Sequence, residues 1–173
     1  MLNPDGTLQD GKLRITCYTH YKASFLILFY YLVIPVVFFW SGYNITLTIA
    51  IFIAATILNL PAIFLHVVYW LKNNGDEFEI RSTEILRRKN GKEKHYKNTD
   101  IDSIIIYLFP SLYKNSNTFV SSFEGYHYAE VKLKSGKKIF LTSLLAPRID
   151  KEFLRRSGFH IERKKKLFTI MKN

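Results

Sequence analysis

The 173-residue sequence predicts an α+β membrane protein, a transmembrane α-helical hairpin followed by an antiparallel β-barrel of about seven strands with a C-terminal helix. Three observations lead there. No Asp, Glu, Lys or Arg occurs between Ser24 and Leu71. After that stretch the apolar residues alternate, and tight-turn pairs interrupt them. Near Leu145 the spacing changes again, to the four-residue interval of a helix.

The run from Ser24 to Trp40, extended back to Tyr21, covers about 20 residues and can cross ~30 Å of hydrocarbon. The run from Ile45 to Leu71 reaches roughly 40 Å at 1.5 Å per residue, so it tilts, kinks or projects beyond the bilayer. Only Ser41, Gly42, Tyr43 and Asn44 separate them, which forces the helices to pack antiparallel, with paired residue numbers summing to about 86. Asn44 suits a helix N-cap, and this reading outweighs a glycan site at Asn44-Ile45-Thr46. Tyr18, Tyr21, Tyr69 and Trp70 mark one membrane interface, and Trp40 and Tyr43 mark the other. Lys12, Arg14 and Lys22 precede the first helix and Lys72 follows the second, whereas the turn has no charge. The positive-inside rule therefore places both termini in the cytoplasm, in a multi-pass protein of the cytoplasmic (inner) membrane.

Asn59, near the middle of the second helix, is costly against lipid and marks a possible intramembrane polar contact. Pro61 frees a backbone carbonyl that Thr56 or Asn59 is expected to satisfy. The expected divisions are a cytoplasmic N-terminal segment (1–20), the hairpin (21–72), a cytoplasmic barrel domain (76–158) and a basic C-terminal tail (159–173).

Within the barrel, Phe78 to Ile80, Glu84 to Arg88 and Glu93 to Lys97 read as strands, the last two joined through Asn90-Gly91, a pair suited to a tight hairpin. Ile101 to Leu108 is the most strand-like core segment. Phe109 to Asn117 reads as a loop, and Thr118 to Phe123 as a weaker strand. From Tyr126 to Lys134, alternation puts His127, Ala129, Val131 and Leu133 on one, buried face. Ser135-Gly136 turns the chain into a strand over Lys137 to Ser143. Leu145, Ile149 and Phe153 form a helical stripe, with Pro147 in its first turn and Gly158 at its stop. The tail reads as an extra strand or an interfacial segment.

Three segments carry a family resemblance: Phe78-Glu-Ile-Arg-Ser-Thr-Glu-Ile-Leu, Tyr96-Lys-Asn-Thr-Asp-Ile-Asp-Ser-Ile and Val131-Lys-Leu-Lys-Ser-Gly-Lys-Lys-Ile-Phe-Leu. Their order, with one helix after them, resembles the pleckstrin-homology (PH) fold over roughly Asp76 to Gly158. Its place after a two-helix hairpin is similar to that in bacterial membrane proteins with a PH-like domain. The resemblance implies a two-sheet barrel closed at one end by the helix, with Phe153 where the family usually has tryptophan. It does not by itself imply recognition of a lipid headgroup.

Residues 72–173 hold 22 Lys+Arg against 12 Asp+Glu, so they carry +10 of the net charge of +11. That charge points to anionic partners. Candidate contacts with an anionic surface are Arg87, Arg88, Lys89, Lys92, Arg163, Lys164, Lys165 and Lys166. The expected partners are the bilayer, with its anionic inner leaflet, and a membrane or membrane-proximal protein, with homo-oligomerisation left open. Nucleic acid is not expected, because basic and aromatic residues do not interleave on one element. The single cysteine, Cys17, excludes an internal disulfide. His20, His66, His95, His127 and His160 lack metal-ligand spacing, and no nucleotide-binding or hydrolase motif occurs, so neither a cofactor nor catalysis is expected. The leading expectation is a non-catalytic, membrane-anchored binding or scaffolding protein. The alternatives are an accessory subunit of a membrane transporter or envelope complex, and an immunity-type membrane protein.

Overall fold

The structure, a computed structural model, describes residues 12–115, 121–156 and 158–171. Two helices, α1 (Cys17–Trp40) and α2 (Ile45–Asn73), are long and apolar enough to cross a membrane. At 1.5 Å per residue they extend about 36 and 43 Å. Thr16 caps α1 by a reciprocal exchange with Thr19, and the Asn44 carboxamide oxygen accepts the Leu47 N–H at 3.0 Å, as expected of an N-cap. Gly42 and Tyr43 both adopt the left-handed conformation (φ 66° and 67°), which lets so short a turn reverse the chain.

The seam between the helices has the expected register. The Tyr31 hydroxyl lies 3.2 Å from that of Thr56, and His20 Nδ1 lies 2.9 Å from His66 Nε2, pairs whose numbers sum to 87 and 86. The expectation for Pro61 needs correction. The Thr56 hydroxyl donates to the Phe52 carbonyl and the Asn59 amide to that of Ala55. Each is a local bond four residues back, and neither reaches the Ile57 carbonyl that the proline leaves without its helical donor.

Two four-stranded sheets follow. The first is ordered β1 (Lys12–Arg14), β2 (Asp76–Ile80), β3 (Glu84–Lys89), β4 (Lys92–Lys97), all antiparallel. Its first strand comes from before the helices, Leu13 lying opposite Phe78, so the whole hairpin is inserted between two neighbouring strands. At the β3–β4 turn Asn90 and Gly91 have φ of 50° and 73°, as their sequence expects. The second sheet comprises β5 (Ile101–Leu108), β6 (Tyr128–Leu133), β7 (Lys138–Thr142) and β8 (Ile161–Lys165), in the order β7-β6-β5-β8. The tail thus supplies a strand, and β8 runs parallel to β5 in a barrel otherwise antiparallel. A short helix, α3 (Pro110–Tyr113), follows β5 where a loop was expected.

Between the sheets, Leu13, Phe78, Ile85, Ile104, Ile106, Val131 and Leu141 form one core. The last helix, α4 (Ile149–Arg156), closes it with Ile149 and Phe153, while Leu145 enters the same core from the preceding turn. Of the weaker strand expected over Thr118 to Phe123, residues 118–120 lie outside the described residues. Ser121 to Phe123 form a turn, because the Glu124 carboxylate accepts both the backbone N–H (3.0 Å) and the hydroxyl (2.8 Å) of Ser121.

A second core lies on the opposite face of the second sheet. Ala62, Leu65 and Tyr69 of α2 pack with Tyr126, Tyr128, Phe140 and Leu144. Burying each large apolar side chain contributes about 1.5–3 kcal/mol. Several such groups, with only Asn74 and Gly75 between α2 and β2, fix the barrel to the base of the hairpin. Asn73, the last residue of α2, completes the join. Its side chain accepts the Thr142 N–H and donates to the Phe140 carbonyl, both at 2.9 Å, as another strand beside β7 would.

Candidate functional site

The basic residues singled out in the sequence fall on two different sheets, and most are engaged. Arg87 bonds both oxygens of Asp76 (2.9 and 3.0 Å), whose side chain is fully buried, and Lys89 reaches the same carboxylate at 3.4 Å. Arg88 bridges Glu77 and Glu93. Lys92 is exposed at the turn into β4. On β8, successive side chains take opposite faces. Arg163 and Lys165 lie over the Tyr113 ring, 5.3 and 4.8 Å from its centre. Lys164 pairs with Glu162, while Lys166 donates to the Tyr128 hydroxyl at 3.1 Å and to the Ile170 carbonyl. Arg163 to Lys165 therefore lie in a strand, and Lys166 just after it is tied to the barrel by its own bonds, rather than forming a loose cationic tail.

The larger concentration of unpaired positive charge is elsewhere. A groove of about 500 Å³ is lined by Arg87, Lys94, Lys134, Lys137 and Lys138, with Asp100 its only acid among the described residues. Lys138 pairs with Glu130 at 3.3 Å. Among the described residues Lys94, Lys134 and Lys137 have no carboxylate partner. Of the sequence-derived set only Arg87 belongs to this groove. The Ser135-Gly136 turn, with lysines on both sides, was the available signal, since a tight turn brings its flanks together.

Asn59 is fully buried on the α2 stripe that also contains Ala55 and Ala62. Its amide is satisfied by Ala55, while its carbonyl oxygen has no partner among the described residues. It does not lie on an outward face of the hairpin.

Where the hairpin meets the barrel, polar groups link three elements. His66 Nδ1 lies 2.9 Å from the Tyr126 hydroxyl and 3.4 Å from that of Ser24, and its other nitrogen meets His20. Tyr126 also reaches the Ala23 carbonyl at 3.3 Å. Burial drives the Tyr126 phenol pKa far above its ordinary value, so it stays protonated as a donor. His127 points inward, as alternation expects. Its Nδ1–H donates to the Gly125 carbonyl at 2.9 Å, and burial lowers its pKa, keeping the ring neutral. Nearby, burial opposes ionisation of Asp150, but the Arg148 guanidinium, bonded to both its oxygens at 3.0 Å, together with the charge around it holds that carboxyl below the usual range.

Beside this junction opens a second, larger cleft of about 900 Å³. The first turns of α1 form one wall, and Leu112, Ser122, Gly125 and the start of α4 form the other. Among the described residues no three His, Cys, Asp or Glu side chains gather as a metal site.

No curated protein and no solved structure matches the chain. The family model described as "PH domain" matches residues 13–150. That span opens in β1 and runs through the hairpin to the start of α4, so it includes the strand that precedes the helices as well as those that follow. A two-sheet barrel closed by a helix, and a match over most of the chain, make it a member of the PH-domain family.

Proposed function

We propose that the chain is a non-catalytic binding module anchored in the cytoplasmic (inner) membrane by its helical hairpin, with both termini in the cytoplasm. Its partner is an acidic segment of a membrane-proximal protein, taken up in the groove of Arg87, Lys94, Lys134, Lys137 and Lys138. The observation that carries this reading is the join between α2 and the second sheet, through the buried tyrosine cluster and Asn73.

That join sets the orientation of the groove. Strand β7 begins at Lys138, in the groove, and runs toward Thr142, bonded to the end of α2. Leu144, just beyond, packs with Ala62 and Leu65, further along α2 toward the membrane. The groove is thus turned away from the bilayer at a fixed height, available to a partner rather than occupied by lipid headgroups. Holding the groove at one height raises its effective concentration toward partners in the same membrane.

Copurification of the full chain from membranes, after brief crosslinking, tests the reading. A specific partner should be lost on Lys134→Glu with Lys137→Glu, while the variant remains in the carbonate-resistant membrane fraction. Equal capture by the doubly reversed variant sinks the groove as the binding site. Release of the wild-type chain by carbonate, or rapid labelling of exposed Cys17 by an impermeant maleimide in intact cells, sinks the anchored, cytoplasm-facing arrangement.

A further inference from the structure

We infer that the cleft between α1 and α4 binds one anionic glycerophospholipid, its phosphate held by Lys22, Arg148 and Lys151 and one acyl chain laid against Tyr21, Phe25 and Leu26. This rests on the membrane-anchored reading and adds to it a ligand and a site distinct from the basic groove.

The position of the cleft follows from helix geometry. Counting back ~30 Å of hydrocarbon from Trp40 at 1.5 Å per residue reaches about Tyr21. The cleft begins on the turn before that point and continues one turn beyond it, so it straddles the boundary between headgroups and acyl chains. Its two kinds of wall match that boundary. Tyr21, Phe25 and Leu26 lie on the side of α1 that enters the hydrocarbon, and Tyr21 and Phe25 stack edge to face, ring centres 5.9 Å apart. Lys151 and Arg148 belong to the barrel side, at the start of α4.

The charge is one-sided. Among the described residues no acidic side chain lines the cleft. Among the described residues Lys22 and Lys151 have no carboxylate partner, and Lys22 lies over the Tyr18 ring, 5.7 Å from its centre. Arg148 is held by Asp150 at 3.0 Å, which fixes the guanidinium at the cleft wall while offsetting part of its charge. Two lysines beyond that neutralised pair suit a singly charged phosphodiester. The volume lies within the roughly 300–1,000 Å³ of small-molecule sites. A free phosphate would use only the cationic wall, whereas a phospholipid satisfies both walls at the depth where its own phosphate resides.

Native mass spectrometry of the full chain in mild detergent, with phosphatidylglycerol and phosphatidylcholine added in equal amounts, tests this. One phosphatidylglycerol per chain should survive activation that strips phosphatidylcholine. Lys22→Gln with Lys151→Gln should weaken that retention about tenfold or more. Leu26→Trp, which fills the apolar wall without changing charge, should weaken it as well. Lys92→Gln with Lys165→Gln, which removes two lysines elsewhere, should leave it unchanged. Equal retention of both lipids, or equal loss in the distant double variant, overturns the inference in favour of diffuse charge. A chain that resists carbonate extraction yet shows no lipid preference refutes the cleft alone, whereas a chain released by carbonate refutes the anchored reading too.

Discussion

Asn73 shows how much one side chain can carry at a junction. In the sequence it is an ordinary helix-terminating residue beside Asn74-Gly75. In the structure its carboxamide serves a donor and an acceptor of the edge strand β7 at positions where Phe140 and Thr142 are both buried. Asn73→Ala leaves two buried backbone groups unbonded, which costs about 2–5 kcal/mol. Thermal unfolding of the detergent-solubilised chain should show that loss, and hydrogen exchange should quicken first in β7. His127 sets a second residue-scale expectation. Burial depresses its pKa, with Asp150 and Arg148 acting on it in opposite senses. The folded state therefore binds fewer protons than the unfolded state, whose histidine titrates near 6.5. The stability it contributes is present above about pH 6.5 and is lost as pH falls below that value. The Tm of the wild-type chain should drop between pH 7 and 5.5 more steeply than that of His127→Gln, whose amide can still donate to Gly125. The other histidines are common to both proteins, so the difference between the two curves isolates this residue.

Among the elements, those with a strong local signal were legible. The hairpin helices, β5, and the β3–β4 turn at Asn90-Gly91 follow from apolar runs and turn chemistry that act over a few residues. Strand β1 did not, because three residues have too little pattern of their own and pair with residues more than sixty positions away. Alternation over Tyr126 to Lys134 identified the inward face with His127, Ala129 and Val131, but Tyr128 and Glu130 on the other face are buried as well. Alternation reports which residues share a face. Whether the outer face meets water or another element depends on α2 and the tail, which lie far off in sequence. The candidate site was less legible for the same reason. Arg87, Arg88 and Lys89 stand out as a run, yet they lie opposite Asp76, Glu77 and Glu93, whose neutralising role appears only once the strands are in register. Among the described residues, the groove lysines without a carboxylate partner, Lys94, Lys134 and Lys137, converge from two separate hairpins.

At the scale of the whole molecule, a helical hairpin interrupts a barrel between two strands that remain neighbours. Arg14 and Glu77 face each other across β1 and β2, so the intervening chain can in principle be replaced by a tight turn. Joining the two strands through a short Gly-containing turn in place of residues 15–75 should preserve the inner core, because Leu13 still covers Phe78. Residues 76–173 alone lack Leu13 and should be less stable by about 2–5 kcal/mol, the usual loss when a buried leucine is removed. Neither chain is expected to be well behaved as it stands. Removing α2 uncovers Tyr126, Tyr128, Phe140 and Leu144 together, a contiguous apolar patch of the kind that drives association. Lysine at Tyr128 and Phe140 in the turn-linked chain should restore a soluble monomer with one cooperative unfolding transition, measured by sedimentation and chemical denaturation. If residues 76–173 carrying the same two substitutions unfold at the same denaturant concentration as the turn-linked chain, β1 is dispensable, and the hairpin is an appendage of the barrel rather than an insertion within it.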